Sequence, residues 1–121
     1  MVLDADSLLA GPSLMELIRR MEADPRLGLL QTWPRPMRGA TLLARCQQFA
    51  ASIGGPLVVG GMAALAGRVG NSWGHNAIIR SRAFIESCGR PKLGGRPPLG
   101  GEILSHDFVE AALLVRNGWD V

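Results

Sequence analysis

Cysteine, lysine and clustered basic residues are scarce in this sequence, and each shortage excludes a class of function. Cys46 and Cys88 are its only cysteines, far apart and without a histidine at metal-ligand spacing. Neither a disulfide framework nor a zinc site is expected, and the pattern fits a reduced, cytosolic setting. The 13 basic residues, all arginine except Lys92, are scattered, with no basic run and no interleaved aromatic residues. This distribution argues against a nucleic-acid partner.

An uninterrupted apolar segment of membrane-spanning length is also lacking. The longest uncharged run includes Phe49 to Gly67, a segment that approaches that length but contains Pro56 and five glycines. A span requires about 20 consecutive, predominantly apolar residues, and these breakers lower the hydropathy of the run. We therefore predict a buried or interfacial segment here, and no transmembrane helix within the chain.

The segments that are present predict an α/β fold. At 121 residues the chain is at most one domain. Val2–Asp4 is a short apolar strand, and a helix follows in which Ser13 and Glu16 have the spacing of a capping box. Leu27–Thr32 has the composition of a second buried strand. Strand–helix–strand order predicts that the two strands are parallel neighbours.

The remaining elements are predicted to be short and joined by loops rich in glycine and proline. They are a helix over Thr41–Ile53, a strand over Asn76–Arg80, a helix over Arg82–Cys88, a loop over Gly89–Gly101 and a helix over His106–Asn117. Ser105 has the position of an N-cap for the last helix, and Gly118 that of its C′ residue. A further strand begins at Trp119, so both chain ends are expected to fall within elements.

Two carboxylates follow the opening strand directly. Asp4 and Asp6 are spaced i, i+2, so in an extended chain both point to the same side. Open α/β sheets bind ligands beyond the carboxyl ends of their strands. Paired carboxylate oxygens at that place suit Mg²⁺ or Mn²⁺ carrying a diphosphate. The alternative interpretation is a pair of solvated turn aspartates.

The resemblance to a known family rests on three ordered motifs. They are Asp4-Ala5-Asp6, Trp73-Gly74-His75-Asn76 and Ser105-His106-Asp107, with supporting stretches at Leu30-Gln31-Thr32 and Gln47 to Ala50. In this set the chain resembles the catalytic half of family 2 glycosyltransferases over nearly its whole length. Within that family it is similar to the membrane-bound enzymes that build osmoregulated periplasmic glucans from UDP-glucose.

The resemblance implies a fold, a reaction and a division of roles among residues. The fold is a partial GT-A-like domain, residues 1–121, with a mostly parallel sheet, flanking helices and truncation at both ends. Asp4 and Asp6 match the motif that binds the nucleotide sugar and its Mg²⁺ or Mn²⁺. Asp107 matches the catalytic base that accepts the proton of the acceptor hydroxyl. The segment Trp73 to Asn76 falls where the family lines the acceptor and sugar site.

The same resemblance implies partners and a location. The partners are UDP-glucose, a growing β-glucan acceptor and the membrane, reached through segments outside this chain. The location is the cytoplasmic face of the bacterial inner membrane. The uridine-binding part of the sheet and the acceptor-binding motif of the family have no counterpart here, so the fragment is expected to be inactive by itself.

Two alternatives remain at this point. A haloacid-dehalogenase-like phosphohydrolase also places an Asp-x-Asp motif after an apolar strand. That chemistry needs a lysine and a later acidic pair, and the only lysine is Lys92, in the breaker-rich loop. A non-catalytic remnant that associates with membranes is the other alternative, since unpaired strands and the Phe49–Gly67 segment are adhesive surfaces.

Overall fold

The computed structural model describes residues 1–89, 92, 94–96, 100–101, 103 and 106–121. Within these residues four helices and two strands are defined. In chain order they are α1 (Gly11–Ala23), β1 (Leu29–Gln31), α2 (Leu42–Ala66), β2 (Ala77–Ile79), α3 (Ser81–Ser87) and α4 (His106–Arg116). The expected capping of α4 by Ser105, and six residues of the expected Gly89–Gly101 loop, fall outside this description.

Helix α1 begins earlier than its capping-box motif predicts. Its N-cap is Ala10, without a side-chain cap, and proline occupies the first turn. Proline is favoured there because its missing N–H has no partner in the helix. The predicted N-cap role of Ser13 is therefore wrong, and Glu16 instead forms ion pairs with Arg19 and Arg20 at 2.8 Å and 2.7 Å.

The sheet differs from the predicted parallel arrangement. β1 and β2 are antiparallel, with Leu30 opposite Ile78, and Val2 bridges Ala77 of β2, also antiparallel. The opening segment and β1 therefore both pair with β2, so the prediction that they are adjacent strands is wrong. Among the described residues, parallel pairing occurs only as the single bridge between Leu27 and Asp120. Apolar runs predict strands, but the direction of each strand depends on how the intervening chain returns.

The hydrophobic core is small and lies between the sheet and the last two helices. Its buried members are Leu29, Ala77, Ala83, Cys88 and Leu114, packed against Ile79, Phe84, Trp119 and Val121. Helix α4 ends in a Schellman motif, with Gly118 at φ 85° and the Trp119 N–H donating to the Leu114 carbonyl at 3.1 Å. The predicted C′ role of Gly118 is confirmed.

Helix α2 is longer and more exposed than predicted. It has 25 residues and continues through Pro56 rather than ending near Ile53. Gly55 is its one buried residue within the described chain. The helix is long and apolar enough to cross a membrane, judged by length and composition. The prediction that this segment is buried is therefore wrong, whereas the prediction that it does not span a membrane stays a prediction.

Candidate functional site

A groove with a volume of about 870 Å³ forms where four segments of the chain meet. This volume is typical of small-molecule sites. The segments are the stretch after the opening strand, the stretch after β1, the first half of α2 and the loop before β2. Polar and aromatic side chains from these segments line the groove, among them Asp4, Asp6, Trp33, Gln48, Ser52 and His75.

The aspartate pair lies in a turn rather than in an extended strand. The Ser7 N–H donates to the Asp4 carbonyl at 3.0 Å, which closes a turn over Ala5 and Asp6. The i, i+2 geometry of a strand therefore does not apply, yet both aspartates line the same groove and both are exposed. Exposed carboxylates facing one groove can share a hard, oxygen-preferring cation such as Mg²⁺ or Mn²⁺.

The loop before β2 presents His75 and Asn76 to the groove. The backbone N–H and the hydroxyl of Thr32 both donate to the Asn76 carbonyl, at 2.9 Å and 3.1 Å, and hold this loop to the end of β1. Asn76 has φ 51° and is buried, while its Nδ2 lies 3.2 Å from Nδ1 of His75. Because Nδ2 can only donate, Nδ1 must accept and the ring proton of a neutral His75 lies on Nε2.

Asp107 does not line the groove but contacts the loop that does. It lies in the first turn of α4, with its carboxylate packed against Gly74. A Cβ added at Gly74 would lie 2.5 Å from Cγ and Oδ2 of Asp107. The absent side chain at Gly74 therefore permits the approach of this carboxylate to the residue that precedes His75.

A group of three side chains with possible metal-ligand atoms lies at the start of α4, and it was not predicted from the sequence. Nδ1 of His106 lies 3.3 Å from Asp107 Oδ1 and 3.2 Å from Glu110 Oε1. The three side chains have ligand atoms within 4.8 Å of one another. The i, i+4 spacing of His106 and Glu110 could have predicted this group, because residues four apart are neighbours on a helix surface. Their mutual pairing accounts for the cluster, and a protonated His106 would strengthen it.

The two tryptophans next to β1 and before β2 have different surroundings. The ring of Trp73 meets Phe108 edge-on, with centroids 5.8 Å apart, and the backbone N–H of Trp73 donates to Gln31 Oε1 at 3.0 Å. Trp73 does not line the groove of the aspartate pair, whereas Trp33 does. Trp33 was not among the predicted site residues, although it lies two residues after β1, near the carboxyl end of a strand, where sheets bind ligands.

Comparison with known proteins identifies the family to which this chain belongs. Residues 1–121 match the sequence model of glycosyl transferase family group 2. The chain therefore belongs to this family of glycosyltransferases. Membership implies a GT-A-like fold, of which the described residues show one two-stranded sheet and four helices. It also decides against the haloacid-dehalogenase-like alternative.

Two named relatives of this chain share one protein name. The chain is 54% identical over 120 residues to glucans biosynthesis glucosyltransferase H of Cereibacter sphaeroides and 56% identical over 121 residues to the protein of that name from Vibrio cholerae. These alignments cover 99% and 100% of this chain. The chain spans 20% and 17% of the length of those relatives. No solved structure matches the chain.

Proposed function

We propose that the protein is a metal-dependent inverting glucosyltransferase that uses UDP-glucose to extend the β-glucan backbone of osmoregulated periplasmic glucans. Residues 1–121 are part of its catalytic domain, and by themselves they lack transferase activity. The relatives support a transferred glucosyl group and a glucan product, because their name specifies a glucosyltransferase of glucan biosynthesis. The observation that carries the proposal is the shared groove, which brings Asp4, Asp6, His75 and Asn76 together.

The donor side of the site is assigned to Asp4 and Asp6. Their carboxylates are exposed to one groove and supply the oxygen ligands that Mg²⁺ and Mn²⁺ prefer, so the donor set fits the metal. When bound, the cation neutralises the charge that develops on the leaving diphosphate. Arg35, which lines the same groove, supplies a further positive charge toward the phosphates.

The acceptor side requires one base on the face opposite the leaving group. The bond between the anomeric carbon and the UDP oxygen breaks while a bond to the acceptor oxygen forms, and the acceptor proton passes to a carboxylate. We assign that carboxylate to Asp107, since its contact with Gly74 places it beside the loop that carries His75 and Asn76. General base catalysis of this kind contributes roughly 10²–10⁴-fold.

The location that follows from this function is the cytoplasmic face of the bacterial inner membrane. Nucleotide sugars are cytosolic donors in this proposal, and the glucan product is periplasmic. Helix α2 supports an association with the membrane, since it has 25 residues and is largely exposed and predominantly apolar. Other segments of the protein, outside residues 1–121, are proposed to anchor it.

The test is isothermal titration of UDP-glucose with Mn²⁺ against residues 1–121 and four variants, with glucosyl transfer measured for the same substitutions in the full-length enzyme. Asp6→Asn is expected to weaken metal-dependent binding at least tenfold, and more than Asp4→Asn does. Asp107→Asn should bind UDP-glucose like the parent while transfer falls roughly 10²–10⁴-fold. Glu22→Gln, which removes an exposed carboxylate outside the groove, is the matched control.

Two results would contradict the assignment. Normal metal-dependent binding by Asp6→Asn would show that the cation lies elsewhere. A loss of UDP-glucose affinity in Asp107→Asn, in step with the loss of transfer, would make Asp107 a donor ligand rather than the base. A parent protein that binds neither metal nor UDP-glucose would favour the non-catalytic remnant.

A further inference from the structure

Trp33 forms the aromatic wall of the groove. It lies two residues after the end of β1, lines the groove and is 44% exposed. Its Nε1 lies 3.3 Å from the point that a Cβ at Gly55 would occupy, so the edge of the indole packs against the backbone of α2. Gly55 is buried by this approach. The indole is thus supported along one edge while much of its surface remains open.

Uncharged polar groups from α2 lie in the same groove. Gln48 and Ser52 are spaced i, i+4 on one helix face, and both line the groove with Trp33. Gln48 Oε1 accepts from the Gly39 N–H at 3.2 Å, which leaves its amide donors directed to other partners. The Ser52 hydroxyl donates to the Phe49 carbonyl at 2.7 Å, which leaves its oxygen as an acceptor. Donor and acceptor capacity therefore lie near one aromatic ring.

We infer that Trp33, Gln48 and Ser52 form a subsite for one glucosyl unit of the β-glucan acceptor, an inference that rests on the proposed function. A β-linked glucosyl ring has an apolar face of C–H groups, whose weak positive charge suits the negative face of an aromatic ring. Its hydroxyls lie around the ring edge and require both donors and acceptors. The three side chains are uncharged, which suits a neutral sugar better than the diphosphate next to the aspartate pair.

The experiment compares oligosaccharide binding with donor binding in the same preparations. The probes are β-1,2-, β-1,3- and β-1,4-linked glucotetraoses, titrated calorimetrically with and without UDP and Mn²⁺. Trp33→Leu should lower the affinity for the best-bound glucotetraose about tenfold, whereas Trp33→Phe, which keeps an aromatic face, should stay within about threefold. Phe49→Leu removes an exposed aromatic ring of α2 that does not line this groove, and it should bind like the parent.

Each outcome decides the inference separately from the proposed function. Unchanged glucotetraose affinity in Trp33→Leu would overturn the subsite, as would a parent that binds UDP-glucose but no glucotetraose. A loss of UDP affinity in Trp33→Leu, with glucotetraose affinity retained, would assign the ring to the nucleotide instead. Absence of metal-dependent UDP-glucose binding in the parent, with glucotetraose binding retained and Trp33-dependent, would refute the proposed donor but keep the sugar subsite. Circular dichroism of Trp33→Leu, compared with Trp33→Phe, checks that both variants fold.

Discussion

Alanine in place of Gly74 meets two obstacles of different physical origin. The first is backbone conformation, because Gly74 has φ 81°, a region that costs a residue with a Cβ about 1–2 kcal/mol. The second is the carboxylate of Asp107, since the new Cβ would lie 2.5 Å from Cγ. Non-bonded carbon atoms prefer about 3.5–4.0 Å, so the carboxylate must retreat by about 1 Å.

The two obstacles are expected to affect different measurements. The backbone cost lowers the free energy of unfolding by about 1–2 kcal/mol. Displacement of Asp107, the proposed base, adds little to that loss, because its side chain is only half-buried and can rotate. A misplacement of about 1 Å at a reacting group is, however, worth about 10²-fold in rate. Glucosyl transfer by the full-length enzyme carrying Gly74→Ala should therefore fall about 10²-fold, with UDP-glucose affinity unchanged.

Gly118 provides the matched control for the free-energy cost of a Cβ at a positive φ. It has φ 85°, and nothing lies within 4 Å of a Cβ built there. Gly118→Ala should lose the same 1–2 kcal/mol of unfolding free energy, measured by urea denaturation, but keep normal transfer of labelled glucose from UDP-glucose. In an Asp107→Ala background, adding Gly74→Ala should lower transfer no further. Equal transfer by Gly74→Ala and Gly118→Ala would refute the reasoning.

Two further predictions concern stability. The hydrogen bond from Arg68 holds the pKa of Asp120 below its ordinary value of 3.8, so this carboxylate stabilises the fold above that pH and ceases to do so as the pH falls through its folded-state pKa. The urea midpoint should decline below about pH 4, less steeply in Asp120→Asn, and an unchanged acid slope in that variant would contradict this account. Leu114→Ala should cost about 2–5 kcal/mol of unfolding free energy, because Leu114 is fully buried. Leu65→Ala, on the exposed surface of α2, should stay within about 0.5 kcal/mol, and similar losses for the two variants would exclude the described core.

Local signals determined the elements that depend on a few neighbouring residues. The end of α1 at Asp24, before Pro25, and the end of α4 at Gly118 follow from the conformational limits of proline and glycine. The position of β2 follows from its short apolar run. The sequence also marked Asp4 and Asp6 as candidate ligands, because α/β sheets bind ligands at the carboxyl ends of their strands and both carboxylates follow an apolar strand.

Long-range contacts decided the rest. The apolar pattern of a strand does not show whether it will pair parallel or antiparallel. The position of β2 between the opening segment and β1 therefore depended on the path of the chain that connects these strands. The contact of Gly74 with Asp107 and that of Gly55 with Trp33 each join residues distant in sequence. Local propensity cannot encode such pairs, because their energy arises only when chain closure brings two surfaces together. The sequence by itself thus predicted most helix ends and the candidate site residues, and the tertiary structure decided which of those residues share a groove.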